Sequence, residues 1–378
     1  MVPVRVAVNV EQLLSPSPGG IGRYTARLVS ILADLGADVH PVAALHRRSQ
    51  VAAAWAEAGL QGKAPTPRTL ALPRPLLYDA WHLVGWPSIS GGVDIVHAPS
   101  LAVPPRGGKP LVVSVHDAGP VLFPQAFSAR GRWFHAQGLR AAARRADLVI
   151  TGSQAAAAEL AEHTQLGTSR LRVVPYGVDL APADPSALGR FGLAGAPYVL
   201  WVGSLEPRKA VGTLVAAMAR LLRGGAAPAG TRLVLAGYAG WQNASLLGAE
   251  DLAQLGPALL RLGQLKAAEL SALYAGATVF AFPSRHEGFG LPVLEAMAAG
   301  APVVASDIPA LREVSGGAAF LVPPGDVGAW AGALAELLSH PEQRGRLAEK
   351  GRSRAAQFSW EAMGAATLAV YREALGGS

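Results

Sequence analysis

Short apolar runs rich in Val, Leu and Ile alternate along this chain with longer stretches in which apolar positions recur every three to four residues. That alternation predicts parallel strands buried on both faces and separated by covering helices. In the first half the runs VRVAVNV (4–10), ADVHPVAAL (37–45), VDIVHAP (93–99), PLVVSVHD (110–117), ADLVITGS (146–153) and LRVVPYGVD (171–179) predict six strands. The second half repeats the design with YVLWVGS (198–204), TRLVLAGY (231–238), ALLRLGQL (258–265), ATVFAFPS (277–284), APVVASD (301–307) and AAFLVPP (318–324). The expected fold class is α/β, with two doubly wound parallel-sheet domains of the Rossmann-like kind. The periodicity is lost over 179–197, DLAPADPSALGRFGLAGAP, which reads as an interdomain linker. Only helical patterns follow residue 326, and the pattern alone leaves open whether the last helix completes the second domain or returns to the first.

Composition agrees with two cores. The chain has 378 residues, 51% of them hydrophobic and 16% charged, too long for one compact core and too apolar for a disordered chain. It has no cysteine, which excludes disulfides, zinc thiolates, iron–sulfur clusters and cysteine nucleophiles. The start lacks a basic segment and cleavage site, and no run reaches the ~18 apolar residues of a membrane span, so the cytoplasm is the expected location. Charge is uneven: residues 1–180 hold 17 Lys and Arg against 11 Asp and Glu, whereas 181–378 hold 16 against 15. A basic first half suits an anionic membrane or an acidic substrate; nucleic acid is disfavoured because the excess is diffuse and carries no recognition motif.

Ligands of open α/β sheets bind beyond the carboxyl ends of the strands, so the residues there come first. They include Asn9 with the loop SPSPGGIGRY, His97, His116 with Asp117, GSLEPRKA, AGYAGW and GQLKAAEL. Gly19, Gly20 and Gly22 precede a helical pattern; they permit close backbone approach to an anion or simply make a tight turn. Arg208 and Lys209 stand where a helix over 208–222 is expected to start, behind Pro207. Cations are disfavoured at a helix N-terminus, and a bound phosphate resolves that conflict; a pair of solvated surface charges is the alternative.

The sharpest feature is SRHEGFGLPVLEAMAAGAPVVAS, residues 284–306. Pro292 suits a first helical turn and Gly300 a stop, so a helix is expected over 291–299, with Glu287 before it and Glu295 one turn inside. Two carboxylates near a phosphate repel it unless each accepts hydrogen bonds from hydroxyls. A nucleotide sugar offers two diols and a diphosphate together. The structural alternative is acidic decoration of a helix start.

This stretch, with GGIGRY, VHD, ADLVITGS, VVPYGVD, VGSLEPRKA and the closing FSW plus helix in the same order, resembles the Glu-x7-Glu signature and surroundings of retaining glycosyltransferases with the GT-B fold, glycosyltransferase family 4 in particular. The resemblance implies a first domain over 1–180 that takes the acceptor, a second over 181–359 that takes the donor, a cleft between them, and a last helix (about 360–378) packed back on the first. It implies that Glu295 holds ribose hydroxyls and Glu287 the transferred sugar, that Gly288, Phe289, Gly290 and Leu291 offer backbone N–H groups, and that Arg208 and Lys209 hold the diphosphate. The family often has a further arginine where this chain has Ser204, beside Gly203, so the clamp rests on Arg208 and Lys209. His116 matches a histidine that contacts the donor sugar, and Gly20 a loop that closes over the phosphates. Gly237, Gln264 and Leu265 fall where the donor is held, the last two near the base. Gly22, Arg23 and Asp117 are candidates for acceptor contact. The chain contains no Asp-x-Asp, so no catalytic metal and no cofactor are expected. The implied reaction moves a hexose, from GDP-mannose or a UDP-sugar, to a glycan, lipid-linked or small-molecule acceptor with retention, neither glutamate acting as a glycosidase-type nucleophile.

Three readings stay beside it. An epimerase of the same fold needs a carboxylate cluster in the first domain, where His and Asp117 stand instead. A non-catalytic nucleotide-sugar binding protein shares every binding motif. Arg130, Arg132, Arg140, Arg144 and Arg145 with Trp133 and Phe134 form either a peripheral contact with anionic lipid or a solvated basic face, and RPLLYDAWHLVGWPSI (74–89) is either surface for a lipid acceptor or core. His97 reads as a packed, hydrogen-bonded residue at a strand end.

Overall fold

The computed structural model describes residues 3–15, 18–237 and 247–376. The chain divides into two compact units, one formed by 1–177 with 359–378 and the other by 178–358.

The first unit contains seven parallel strands: β1 Arg5–Asn9, β2 Asp38–Ala43, β3 Arg68–Thr69, β4 Ile95–Ala98, β5 Leu111–Ser114, β6 Leu148–Thr151 and β7 Leu171–Val173, in the order β3-β2-β1-β4-β5-β6-β7. The second contains β8 Tyr198–Val202, β9 Arg232–Ala236, β10 Leu259–Gly263, β11 Val279–Phe282, β12 Val303–Ser306 and β13 Phe320–Val322, in the order β10-β9-β8-β11-β12-β13. Each sheet reverses its winding direction once, between β1 and β4 and between β8 and β11. Helices on both faces are the reason that β4, β5, β6, β11 and β12 are buried at every position. Trp81 anchors the first core, and Trp201 and Trp330 the second. Transfer of each indole out of water is worth on the order of 4–6 kcal/mol before entropy is counted.

All twelve expected strands are present, shorter than their apolar runs. The run over 171–179 is a strand only as far as Val173, and the edge strand β3 was not foreseen. The stretch 179–197 is not a free linker. It carries the short helix Ala187–Arg190, which packs on the helix Ala267–Gly276, with Arg190 bonded to Glu269 (2.9 Å) and the Asp184 amide donating to the Ala268 carbonyl (3.0 Å).

The last helix, Trp360–Ala374, belongs to the first unit. Ser359 caps it by accepting from the Ala362 amide (3.0 Å), and its buried face is Trp360, Met363, Gly364, Thr367, Leu368, Val370 and Tyr371. Gly364 lets the helix Gly19–Asp34 approach, since a side-chain carbon there would fall 2.0 Å from Ile31. The Tyr371 hydroxyl lies 2.6 Å from Nδ1 of His97, whose Nε2 lies 2.8 Å from Ser114 Oγ, which in turn meets the Tyr24 hydroxyl at 2.9 Å. This buried chain joins the last helix, β4, β5 and the first helix.

Burial pushes His97 down to about 3, and the neighbouring His116 acts in the same direction; burial also takes His82 and His135 to about 4. These rings stay neutral in the folded chain, whereas the unfolded chain protonates them near 6.5. A depressed folded-state value therefore means stability that is full above about pH 7 and lost as pH falls toward 4. Urea midpoints should be level from pH 8 to 7 and fall steadily below 6.5; a midpoint constant down to pH 5 would show that these rings are not held neutral. Among the described residues no helix is long and apolar enough to cross a membrane.

Candidate functional site

In the second unit the reversal between β8 and β11 brings two loops together, the place where open α/β sheets hold ligands. The loop after β8 carries Gly203, Ser204 and Glu206, then a single 3-10 turn, Pro207–Lys209, and only then the helix Val211–Arg223. The expected helix start at 208 is thus corrected: Ala210, at φ 46°, separates the turn from the helix. Among the described residues Ala210 is the one non-glycine with positive φ, a conformation that costs roughly 1–3 kcal/mol and concentrates at functional sites. The loop after β11 follows with Arg285, His286 and Glu287, tied to the turn by the Arg285 amide, which donates to the Arg208 carbonyl (2.8 Å).

These loops make a compact charge cluster. Lys209 Nζ donates to Glu287 Oε1 at 2.5 Å, Arg208 Nη1 lies 3.7 Å from Glu287 Oε2, and Arg208 Nε donates to Glu206 Oε2 at 3.0 Å. Ser204 Oγ donates to the other Glu206 oxygen. Lys209 and the Glu287 side chain are each 8% exposed, and Nζ stands 5.1 Å from the centre of the Phe282 ring. Burial pushes the Glu287 carboxyl up, but Lys209 and Arg208 outweigh it and hold the group below the ordinary range; burial lowers Lys209, against the pull of Glu287. The cations therefore have carboxylate partners already, Glu206 and Glu287. The fold thus resolves the expected conflict with internal carboxylates, and the two cations are not the pair of solvated surface charges offered as the alternative.

The helix Leu291–Ala298 starts behind Gly290, at φ 103°, where a side-chain carbon would lie 2.5 Å from Leu311. Glu295, 3% exposed, accepts from the Tyr274 hydroxyl at 2.8 Å. At the neighbouring strand ends Gly237, at φ 134°, admits no side chain because its carbon would fall 1.8 Å from the Gly203 carbonyl oxygen, and its amide donates to the Gly263 carbonyl (2.7 Å). Gln264 is exposed and Leu265 half-buried, directly after β10. Of AGYAGW, residues 238–241 lie outside the described residues. Gly203, Ser204, Arg208, Lys209, Glu287, Gly288, Phe289, Gly290 and Leu291 are therefore on the two loops of the switch point. Glu295 sits one turn behind them, while Gly237, Gln264 and Leu265 line the neighbouring strand ends.

In the first unit the equivalent reversal joins Asn9 to the segment after β4, Asn9 Nδ2 donating to the Ala102 carbonyl (3.1 Å). Two residues on, Glu11 is 1% exposed; it accepts from the Ala44 amide (2.8 Å) and faces His46 Nε2 at 2.8 Å. His116 Nε2 is 2.9 Å from the Pro99 carbonyl, and Nδ1 is 2.6 Å from the Tyr176 hydroxyl. A carbonyl only accepts, so Nε2 carries the proton and Nδ1 accepts from Tyr176. Burial lowers this imidazole, against the pull of the Pro99 carbonyl and Asp117, so the ring is a neutral group with both nitrogens engaged. Tyr176 is placed by Gly152, where a side-chain carbon would come 2.7 Å from its ring. Asp117 accepts from the Gly119 amide (2.8 Å), as in a capped turn. Gly20, Gly22 and Arg23 lie inside the first turns of the helix Gly19–Asp34 and not in an open loop ahead of it; Pro16 and Ser17 lie outside the described residues.

Sequence reasoning passed over Glu206, Tyr274 and Tyr176 as site residues. Glu206 was visible inside SLEPRK, where attention to the two cations hid their counter-charge. Tyr274 and Tyr176 meet Glu295 and His116 from 21 and 60 residues away, and no local pattern marks such a partner.

Comparison with known proteins agrees with this architecture. Residues 18–182 match the family described as Glycosyltransferase Family 4, and residues 196–340 match Glycosyl transferases group 1. The chain is 30% identical to the O-antigen chain mannosyltransferase B of Escherichia coli over 93% of its own length and 96% of that protein's. It is 33% identical to the MMP alpha-(1->4)-mannosyltransferase of Mycolicibacterium hassiacum over 75% of its length and 72% of the relative's. Among solved structures it resembles sucrose-phosphate synthase from Thermosynechococcus elongatus (TM-score 0.72, 24% identity, 99% of this chain and 100% of that one). It also resembles Anabaena HepE in complex with UDP and glucose (TM-score 0.73, 20% identity, 98% and 100%). Both halves being matched, with a relative aligned along almost the whole length and two parallel-sheet units of the GT-B fold, the chain belongs to glycosyltransferase family 4 and is a glycosyltransferase.

Proposed function

We propose that the protein transfers a hexose, with retention of anomeric configuration and without a metal ion, from a nucleoside-diphosphate sugar to a glycan acceptor, the second unit taking the donor and the first the acceptor. The observation that carries this reading is the Arg208–Lys209–Glu287 cluster at the reversal of the second sheet.

Breaking a sugar–diphosphate bond puts negative charge on the leaving phosphate and positive charge on the anomeric carbon. Fixed cations in a water-poor pocket stabilise the first of these most effectively. Glu287 serves as their internal counter-ion. A donor diphosphate competes for Lys209 and Arg208, and the carboxylate thus displaced accepts hydroxyls of the transferred sugar. Arg208 supplies a planar fork and Lys209 a point charge, with N–H groups of 288–291 completing the cradle. Glu287 is an ionised, cation-paired group, which suits hydroxyl binding and leaves no proton to donate. In this reading Glu295 meets the ribose and Gln264 with Leu265 the base. In the first unit His116 is a neutral ring fixed by Pro99 and Tyr176, and Gly20, Gly22, Arg23 and Asp117 take the acceptor. The names of the two mannosyltransferase relatives favour mannose as the transferred sugar.

Thermal shifts with GDP, UDP, ADP and TDP identify the base, since a ligand at 100 times its dissociation constant adds about 2.7 kcal/mol. With the matching nucleotide sugar, release of nucleoside diphosphate should persist in EDTA and disappear in Glu287→Ala. Loss of turnover in EDTA that added divalent metal restores would overturn the metal-free mechanism.

A further inference from the structure

The segment 74–86 is apolar on two opposite sides. Helix Arg74–Asp79 continues as a wider π-turn over Ala80–Val84 and ends at Gly85, at φ 73°. Its inner side is fixed: Leu77 and Trp81 are fully buried, and Tyr78 and His82 lie against Phe134 at ring separations of 5.2 and 5.4 Å. Trp81 Nε1 donates to the Pro87 carbonyl (2.9 Å), and Arg145 donates to the Trp81 carbonyl (2.7 Å). Most of its exposed positions are apolar as well. Leu76, Leu83, Val84 and Trp86 are 56, 63, 78 and 59% exposed. Among the described residues eight large hydrophobic side chains are exposed, and these four fall within eleven consecutive positions. Solvated helices normally put polar groups on such a face, and clustered exposed apolar groups mark an interaction surface.

The surroundings indicate the partner. The segment packs on the helix Ala129–Arg145, and four residues beyond it Ser90 Oγ donates to the Gly107 carbonyl (2.9 Å) in the loop 104–110. Together 74–90, 104–110 and 129–147 hold eight Arg and Lys against two Asp. Both aspartates, Asp79 and Asp147, are already paired with Arg130 and Arg106. Arg74, Arg140 and Arg144 are exposed. Trp133 and Phe134, which the sequence left open between a lipid contact and a solvated face, are half-buried, Trp133 under the Arg130 guanidinium (4.5 Å) and Phe134 against Tyr78. The exposed apolar groups are instead those of 76–86. A rigid apolar ridge within a basic field matches an anionic bilayer, where aliphatic and indole groups enter the interfacial layer and arginines meet lipid phosphates. A second copy of the chain would bring the same positive field against itself.

The position matters for function. The His82 ring donates to the Leu101 carbonyl (3.0 Å), and the same segment after β4 receives Asn9 at Ala102 and His116 at Pro99. The ridge is thus bolted to the loop that organises the carboxyl ends of β1, β4 and β5. We propose that residues 74–86 seat this glycosyltransferase on an anionic phospholipid bilayer, and that its acceptor is consequently a lipid-linked glycan. Only the second half of that statement rests on the function proposed above.

The test is co-sedimentation of the full chain with vesicles of phosphatidylcholine alone or mixed with phosphatidylglycerol, at low and high salt. The wild type should pellet with the anionic vesicles, less so in high salt. Leu83→Ser/Val84→Ser/Trp86→Ser and, separately, Arg140→Glu/Arg144→Glu should each cut partitioning about tenfold or more, with unchanged melting and an unchanged nucleoside-diphosphate shift. A wild type indifferent to anionic vesicles, or a triple variant that still pellets, overturns the proposal. A dimer abolished by the triple variant, without vesicle binding, also overturns it by assigning the ridge to a second copy. Vesicle binding with no thermal shift from any nucleotide would fault the donor reading and leave the surface standing.

Discussion

Replacing Lys209 by alanine is expected to abolish turnover and to destabilise the second unit at the same time. Lys209 is the nearest cation to Glu287, at 2.5 Å, and both groups are almost wholly withdrawn from water. Its removal leaves a buried carboxylate whose nearest remaining cation is the more distant Arg208, 3.7 Å away. Breaking one side of a buried ion pair costs about 3–5 kcal/mol, and the remaining arginine places this case at the lower end. The catalytic loss is separate: a preorganised charge facing the leaving group is worth roughly a hundredfold to a thousandfold in rate. The double variant Lys209→Met/Glu287→Gln distinguishes the two effects, because it removes both charges and keeps the volumes. Melting should return to near wild type while turnover stays absent. Urea denaturation beside single-turnover assays reads both; a single alanine variant as stable as wild type would mean that the pair is open to water.

Ending the chain after Phe358 should be as severe, but for the first unit. The lost helix buries Trp360, Met363, Leu368, Val370 and Tyr371, and at about 1.5–3 kcal/mol each this amounts to on the order of 10 kcal/mol, the whole stability of an ordinary domain. It also strips His97 of the Tyr371 hydroxyl and uncovers Ile31. Calorimetry of the shortened chain should therefore lose one transition and keep the one that a nucleoside diphosphate raises. Two preserved transitions would show that the helix is dispensable.

The sequence was most legible where local chemistry and tertiary environment coincide. Strands covered on both faces read as unbroken apolar runs, so β5, β6, β11 and β12 were visible with errors of one to three residues at their ends. The helix over 291–298 was legible because Pro292 and Gly300 punctuate it. The two-residue β3 is too short to leave a pattern. Arg208 and Lys209 were read as the start of a helix behind Pro207; nothing in the identity of Ala210 announces a left-handed backbone. The destination of the last helix was legible only through family resemblance. Its amphipathic spacing says which face is buried, whereas the contact that seats it, Tyr371 on His97, spans 274 residues.

The candidate site divides along the same line. Its cations and glutamates stand in two short contiguous motifs, and the resemblance supplied their grouping. Their electrostatic state was not legible, because it depends on which opposite charge the fold places within reach. Glu206 and Glu287 neutralise the pair that local reasoning left unbalanced, and Tyr274 and Tyr176 complete the surroundings of Glu295 and His116 from distant elements.

The central claim is that Arg208, Lys209 and Glu287 form the seat of the donor diphosphate. Isothermal titration of GDP and UDP into the wild type and into Lys209→Met/Glu287→Gln tests it most directly, since the double variant keeps its fold by the reasoning above. The account predicts one nucleotide bound per wild-type chain and an affinity lower by about a hundredfold in the variant, the loss of a charge-assisted contact to phosphate. Equal affinity in the two proteins would contradict it and move the diphosphate to another part of the chain.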